Sequence, residues 1–533
     1  MNNEPVWDVD SDLRARVEQE RHKYRKSIIP PAILVVAGKR HIAADQGLYA
    51  LVKAKVPFYE RDRKIVHVAP AKAKNSNGET FEVPTIMPVT PAILDRALGQ
   101  SATWKRVDVR SREMSAIDPP KPVVQQIIDM VGEWPFPPLR GIIQCPTLRR
   151  DGSLLASNGY DEVTGLVLFN SLEFPAIAYA PSENDALRAL SLLTALLTEF
   201  PFVDEASRAV ALSMILTVVL RAAMEVAPMH LATAPLPGTG KSFLADVAAM
   251  IATGERCPVK SASKNPEETE KRLIGSALGG RPIIALDNCR DVLEGDFLCQ
   301  VTERPLLELR PLGTSKQSIV ANNFTVFANG NNVAIAEDMV RRTIRCGMDA
   351  NCESPEKRTF KLNPLAMIRA DRGKYVAACL TIARAYVAAG RPNPLTPLPS
   401  FEEWSGMVRE PLIWLGCSDP VDTMEALRDE DPKSAERCRV FDAWKSTIGV
   451  GKYRTCLTSG IIEKAGQNGV LCEALLAVAR QRVGDAIDPT ALGKWLSRQE
   501  KNIASGCKLM SDRTDKNRPK WYLELQGSGG SVG

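Results

Sequence analysis

The sequence predicts a mixed α/β protein built on a parallel sheet with flanking helices, and three stretches carry that expectation. "APLPGTGKSF" (234–243) is a glycine loop set between an apolar strand pattern, "MHLATA" (229–234), and a helical one, "SFLADVAAMIATG" (242–254). "RPIIALDN" (281–288) runs apolar residues into Asp287. "NFTVFANGNN" (323–332) ends in Asn329, Asn331 and Asn332. Polar residues at the ends of apolar strands mark the carboxyl edge of a parallel sheet, which is where such sheets place ligands.

At 533 residues the chain is too long for one hydrophobic core, so several domains are expected. Residues 1–30 read as a flexible charged arm ending at Pro30-Pro31. A small α/β domain follows over 31–116, from strand-like "AILVVAG" (32–38), helix-like "IAADQGLYALVKA" and strand-like "KIVHVAP" (64–70), with a turn-rich hairpin loop at 72–80. A proline-rich joint, "IDPPKP" (117–122), opens a β-rich irregular region over 117–182. Two helical patterns, at about 183–200 and 205–224, join the core elements within 183–350. Helical lid and linker are expected over 351–437, the linker being the polar "RDEDPKSAER" (428–437), then a compact unit over 438–526 and a Gly/Ser tail, 527–533.

Composition narrows the classes. A hydrophobic content of 44% with 25% charged residues is ordinary for a globular chain, and a net charge of +5 permits a nucleic-acid partner without requiring one. The 12 cysteines are scattered without a CxxC pair, and the 4 histidines do not pair at ligand spacing, so reduced thiols and no zinc site are expected. Residues 1–26 are polar rather than a secretory signal, and "AVALSMILTVVL" (209–220) reads as a buried helix, so a cytoplasmic protein is expected.

The glycine loop departs from GxxxxGK(S/T) only at its first position, where Pro235 replaces glycine. That glycine serves mainly to open the turn; Gly238 and Gly240 stand where backbone must approach phosphate. Pro235 and Pro237 stiffen the loop without removing the amides that matter. Pro237, Gly238, Thr239, Gly240, Lys241, Ser242 and Phe243 therefore form a candidate nucleotide cradle at a helix N-terminus, where N–H groups and the helix dipole both favour an anion. Lys241 would reach between the β- and γ-phosphates of ATP, and Ser242 with Asp287 would hold Mg2+. An asparagine from "FANGNN" is placed to orient attacking water; the alternative is plain turn chemistry after a strand. "EDMVRRTIR" (337–345) supplies Arg341, Arg342 and Arg345, read either as fingers reaching a neighbouring subunit's nucleotide or as a solvated basic face.

APLPGTGKS, PIIALDN, FANGNN and EDMVRR together resemble the AAA+ ATPase core, and more narrowly the superfamily III and minichromosome-maintenance-like helicases of phages, plasmids and mobile elements. The flanks agree: residues 137–166 resemble the segment preceding the ATPase of phage-type primase-helicases, and "SFEEWSGMVREPLIWLGCSDP" (400–420) resembles the segment following it. "DPTALGKWLSRQ" (488–499) looks like their terminal winged helix, so the resemblance spans about 120–525. It implies Asn331 as the water-orienting asparagine, Arg342 as the trans-acting finger, ATP and Mg2+ as cofactors, and a hexameric ring on DNA, with other replication proteins as further partners. One departure stands out: Asn288 follows Asp287 where the family has glutamate, which leaves Glu268, in "NPEETEKRL", as a substitute carboxylate.

For DNA, helix 488–504 has Leu492, Trp495 and Leu496 on one face and Lys494, Arg498 and Lys501 on another, followed by two strands joined by a basic turn bearing Arg513, Lys516, Arg518 and Lys520. The same unit would also serve protein contacts alone. In the resembled helicases the region matching "RPLGTSKQSIVANN" (310–323) carries a channel hairpin, which implies Lys316 as the contact to single-stranded DNA, a plain surface loop being the alternative. Two functions follow: a ring helicase or translocase in replication of a phage or mobile element, and a nucleotide-dependent DNA-binding switch or scaffold without processive unwinding.

Overall fold

A computed structural model of the chain describes residues 30–74, 80–108, 113–169, 172–261, 266–289, 292–310, 317–481, 484–512 and 519–526. The charged arm before Pro30, the tip of the 72–80 hairpin, the Gly/Ser tail, Lys316, Arg513, Lys516 and Arg518 lie outside the described residues.

Apolar alternation builds the central sheet. Five strands, all parallel, lie in the order Val259–Ser261, Ile283–Cys289, Thr325–Asn331, Met229–Ala234, Thr343–Gly347. Below, Met229–Ala234 is the loop strand, Ile283–Cys289 the carboxylate strand and Thr325–Asn331 the asparagine strand. Both faces are covered, as an all-parallel sheet requires. Ala232, Ile283, Ala285, Phe327 and Ile344 pack into one core with helices Glu205–Leu220 and Lys241–Thr253. Their neighbours Leu231, Ile284, Leu286, Val326 and Ala328 face a second core with helices Pro266–Leu278 and Asp296–Glu303. Helix Glu205–Leu220 is the apolar run read as buried, and it is: nearly every side chain from Ala209 to Leu220 is enclosed. Helix Arg372–Ala388 packs on Glu183–Leu196 and shares the first core, so the expected lid begins as part of the central body.

Two boundaries differ from the sequence reading. The N-terminal domain does not stop at the proline-rich joint: Val123, Val124 and Ile127 of helix Lys121–Asp129, with Trp134 and Phe136, fill the same core as Ile33, Leu51, Leu98 and Trp104. Pro120 at the N-cap and Pro122 in the first turn start a helix there rather than separate two domains. The expected linker 428–437 is likewise mostly helix, with only Glu430 and Asp431 between two helical segments. Asp431 caps the second, its carboxylate accepting from the Lys433 N–H at 3.0 Å, with Pro432 in the first turn of Pro432–Thr447.

That helix opens the C-terminal unit, which continues through Thr458–Gly466, Gly469–Ala479 and Pro489–Gln499 into a three-stranded antiparallel sheet, Ile503–Ala504, Cys507–Asp512 and Lys520–Leu525. Its core gathers Phe441, Trp444, Leu471, Leu475 and Trp521 around Leu492, Trp495 and Leu496, the predicted apolar face. Lys494, Ser497 and Arg498 face outward beside the outer strand.

His230, on the loop strand, is fully buried between Phe327 and Trp404, with Nε2 at 3.1 Å from the Ser213 hydroxyl. Burial pushes its pKa down to about 3, so the folded chain keeps the ring neutral where the unfolded chain protonates it. Stability is therefore unaffected above the ordinary histidine pKa and falls below it, by up to ~1.4 kcal/mol per pH unit. Urea unfolding between pH 7.5 and 5 is expected to show this acid decline, and His230→Gln to flatten it; a variant with unchanged pH dependence would place the titrating group elsewhere.

Candidate functional site

The glycine loop joins the loop strand to the loop helix, Lys241–Thr253, at the carboxyl edge of the sheet. Its curvature needs positive φ at two positions, Gly238 (+77°) and Gly240 (+106°). The loop is stapled from within, since the Leu236 carbonyl accepts from the Thr239 hydroxyl (2.8 Å) and from Lys241 Nζ (3.1 Å). Pro237 sits inside this staple, so the missing first glycine costs the loop no curvature. Gly238 also packs against Glu356: a Cβ there would lie 3.0 Å from the Glu356 nitrogen. At its far end the loop helix closes as expected on Gly254, while Arg372 donates to the Ile251 (2.9 Å) and Ala252 (2.7 Å) carbonyls.

The period of two along each strand decides what meets the loop. Asp287 follows Ile283 and Ala285 on the face packed by the loop helix, and Asn329 and Asn331 follow Phe327 on the same face. Asp287 Oδ1 accepts from the Ser242 hydroxyl at 3.0 Å. The two oxygens are hard donors side by side at a helix N-terminus, which suits Mg2+, an ion that takes few protein ligands and keeps waters and phosphate oxygens. Lys241 is 8% exposed; burial lowers its pKa, against the opposing pull of the Asp287 charge.

Asp287 and Asn288 form a bulge, because register with the asparagine strand shifts between Leu286 and Cys289. Asn288 takes φ +58°, a left-handed conformation that asparagine tolerates well, and its N–H donates to Asn329 Oδ1 at 3.3 Å. The bulge rests on Gly330, where a Cβ would stand 2.1 Å from the Cys289 carbonyl oxygen. Asn329, buried, is thus the asparagine that grips the carboxylate strand, whereas Asn331, half-buried, lies two residues further along the same face.

Other expected residues are more dispersed. Glu268 lies in the first turn of Pro266–Leu278 and pairs with Lys271 at 3.9 Å. Arg342 is buried and committed within the chain: it donates to Glu303 (Nε to Oε2, 3.0 Å) and to the Asp338 carbonyl (2.6 Å). Burial opposes ionisation of Glu303, but hydrogen bonds from Ser400 and Arg342, with the charges of both arginines, hold its pKa at about 2. Arg341 is the exposed member, its side chain 46% accessible, and Arg345 pairs with Glu430. The arms of the expected channel hairpin, Leu306–Leu309 and Ser318–Ala321, pair antiparallel, and Asp62 of the N-terminal domain accepts from Ser318 Oγ (2.7 Å) and the Ile319 N–H (3.2 Å). One carboxylate escaped the sequence reading. Asp246 stands a helical turn beyond Ser242, its pKa raised by burial and, against the Cys257 N–H and Arg256, by the Asp287 charge. Its spacing of four from Ser242 was the available signal.

No protein-family model matches the chain, and no curated protein matches it. Among solved structures it is similar to the A-form apo structure of the NrS-1 C-terminal region, at 11% identity over 90% of this chain and 98% of that one, with a TM-score of 0.36. A second such structure, of residues 305–718, gives 12% identity over 90% and 99%, with a TM-score of 0.35. The X-ray structure of JCV helicase gives 10% identity over 50% and 72%, with a TM-score of 0.20.

Two measurements check the geometry. Gly330→Ala is expected to destabilise the fold by about 2–4 kcal/mol, because the clash is with backbone and cannot relax by a rotamer change; a melting temperature equal to wild type would show the bulge to be dispensable. Arg342→Ala should likewise lower stability, by roughly 1–3 kcal/mol, since Glu303 loses its buried partner and keeps only Arg341 and Ser400, while Arg341→Ala should leave the melting temperature within a degree or two.

Proposed function

We propose that the chain is an ATP-dependent DNA motor, a helicase or translocase of the AAA+ kind working as a ring in the replication of a phage or mobile element. The observation that carries this is the meeting of Ser242 and Asp287 at 3.0 Å beside a glycine loop with Lys241 at its end. ATP would lie along the loop with its phosphates on the amides of residues 238–242, and Mg2+ on Ser242 and Asp287 would supply the charge that stabilises the transferred phosphoryl group. This chain's own part is to hold the phosphates rigidly, keep Lys241 charged beside Asp287, and orient water from the asparagine edge. Arg341 has the exposure that a finger reaching a neighbouring subunit requires, and we assign that part to it in preference to Arg342. In the C-terminal unit, Lys494 and Arg498 with Ser497 would bind the phosphate backbone of duplex or fork DNA, as in a winged helix.

A second reading, a nucleotide-dependent DNA-binding switch, is favoured by Asn288 in the place of a glutamate. ATP hydrolysis with and without single-stranded DNA, run beside strand displacement on a forked duplex, separates the two. The motor reading expects DNA-stimulated hydrolysis and displacement, both abolished in Lys241→Ala and reduced at least tenfold in Arg341→Ala. Binding of ATP without hydrolysis, even on DNA, would establish the switch instead. Lys494→Glu with Arg498→Glu should weaken duplex binding about tenfold or more and shallow its salt dependence by about two contacts; equal affinity would remove the helix from the interface.

A further inference from the structure

Three phenylalanines stand in series beside the glycine loop. The Phe200 ring lies 3.6 Å from where a Cβ of Gly240 would be. Phe243, directly after Ser242, stacks on it with centroids 6.1 Å apart and planes 26° apart, and Phe202 continues the series at 5.9 Å and 16°. All three rings are half-buried: they pack against the central core yet keep part of their surface at the loop. The backbone carrying them is fixed. The Glu199 carboxylate accepts from the Lys361 and Leu362 N–H groups, both at 2.9 Å, and the Pro201 carbonyl accepts from the Asp349 N–H at 2.8 Å. The segment is therefore a rigid edge to the site, although neither its charge nor its polar groups serve phosphate.

We infer that the Phe200–Phe243 stack is the platform on which the nucleotide's base rests, an inference that depends on the nucleotide reading of the loop. An α-phosphate at the N-terminus of the loop helix sits by the amides of Ser242 and Phe243, so the base, one ribose away, falls beside residue 243 and away from the Asp287 side. The Phe200–Phe243 gap is too narrow to admit a third ring, so the base lies against the solvent-facing side of the stack. Such a surface reads ring area and polarisability, not the hydrogen-bonding edge of the base. The platform favours purine over pyrimidine nucleoside triphosphates and separates adenine from guanine only weakly.

Displacement of a fluorescent ATP analogue from the full chain, by Mg2+ complexes of ATP, GTP, CTP and tripolyphosphate, tests this. ATP and GTP should compete within about threefold of each other, CTP about tenfold more weakly, and tripolyphosphate most weakly. Phe200→Leu and Phe243→Leu, which keep apolar volume but lose the π-face, should each weaken ATP about tenfold and leave tripolyphosphate unchanged, whereas Phe200→Trp should retain ATP. Equal loss of ATP and tripolyphosphate in the leucine variants would show the rings merely supporting the loop, and no loss of either would also overturn the platform. A wild-type chain that binds none of the four competitors, tripolyphosphate included, would overturn the nucleotide reading itself, a result distinct from both.

Discussion

The close approach of Gly330 to the Cys289 carbonyl is the constraint on which the candidate site depends. Two parallel strands whose sequences place one polar cluster each at the carboxyl edge do not by themselves bring those clusters into register. The bulge at Asp287 and Asn288 does so, and it exists because residue 330 has no side chain to keep the neighbouring backbone away. The strand's alternation carries Asp287 to Ser242, and the extra residue leaves the Asn288 N–H pointing at Asn329. A single missing methyl thereby links three strands' worth of chemistry.

Around that point the sheet works as a rigid mount. Both of its faces are apolar and covered, so the strands cannot slide without exposing one core or the other. The loop helix is held at both ends, by the glycine loop with its Leu236 staple and by Arg372 on its last carbonyls. Arg221 performs a similar task beneath the asparagine strand. Wholly buried, it donates to the carbonyls of Phe324 (3.0 Å), Asn322 (2.8 Å) and Met224 (2.6 Å), tying the end of the long apolar helix to the strand's entry. Burial lowers its pKa to about 9, and the ring of carbonyl acceptors offsets part of the cost of enclosing a guanidinium.

How much of this was legible in the sequence depended on whether the information was local. The loop strand, loop helix and its Gly254 end follow from short-range rules and fall where those rules put them. The bulge was not legible, because its cause is the contact of Gly330 with a residue more than forty positions away. That Asn329 is the one that accepts from the Asn288 N–H was hidden for the same reason. Arg342 shows the complementary limit: both guanidiniums reach Glu303, and "RR" in sequence gives no sign of which one packing will bury and which it will leave at the surface. At 117–122 proline was read as a joint, and at 428–437 polarity was read as a linker, where in each case a proline with fixed φ lies in the first turn of a helix.

Asn288 gains a physical meaning from the bulge. At φ +58° an asparagine is among the few side chains accommodated cheaply, whereas glutamate would carry a left-handed penalty of about 1 kcal/mol. The departure from Asp-Glu is therefore coupled to the backbone that seats Asp287, and the two cannot be varied independently. A chain with this bulge gives up a carboxylate at 288 in return for a carboxylate at 287 locked onto Ser242. Whatever activates water must then come from elsewhere. Of the carboxylates near the pair, Asp246 feels the Asp287 charge and is turned toward the Cys257 N–H (3.0 Å). With a second proton acceptor at 288 absent, the electrostatic work of the site concentrates on Lys241, Ser242 and Asp287. On the proposed nucleotide reading, those groups would favour tight binding of a magnesium nucleotide first, with fast hydrolysis awaiting a further group brought in by DNA or by a neighbouring subunit.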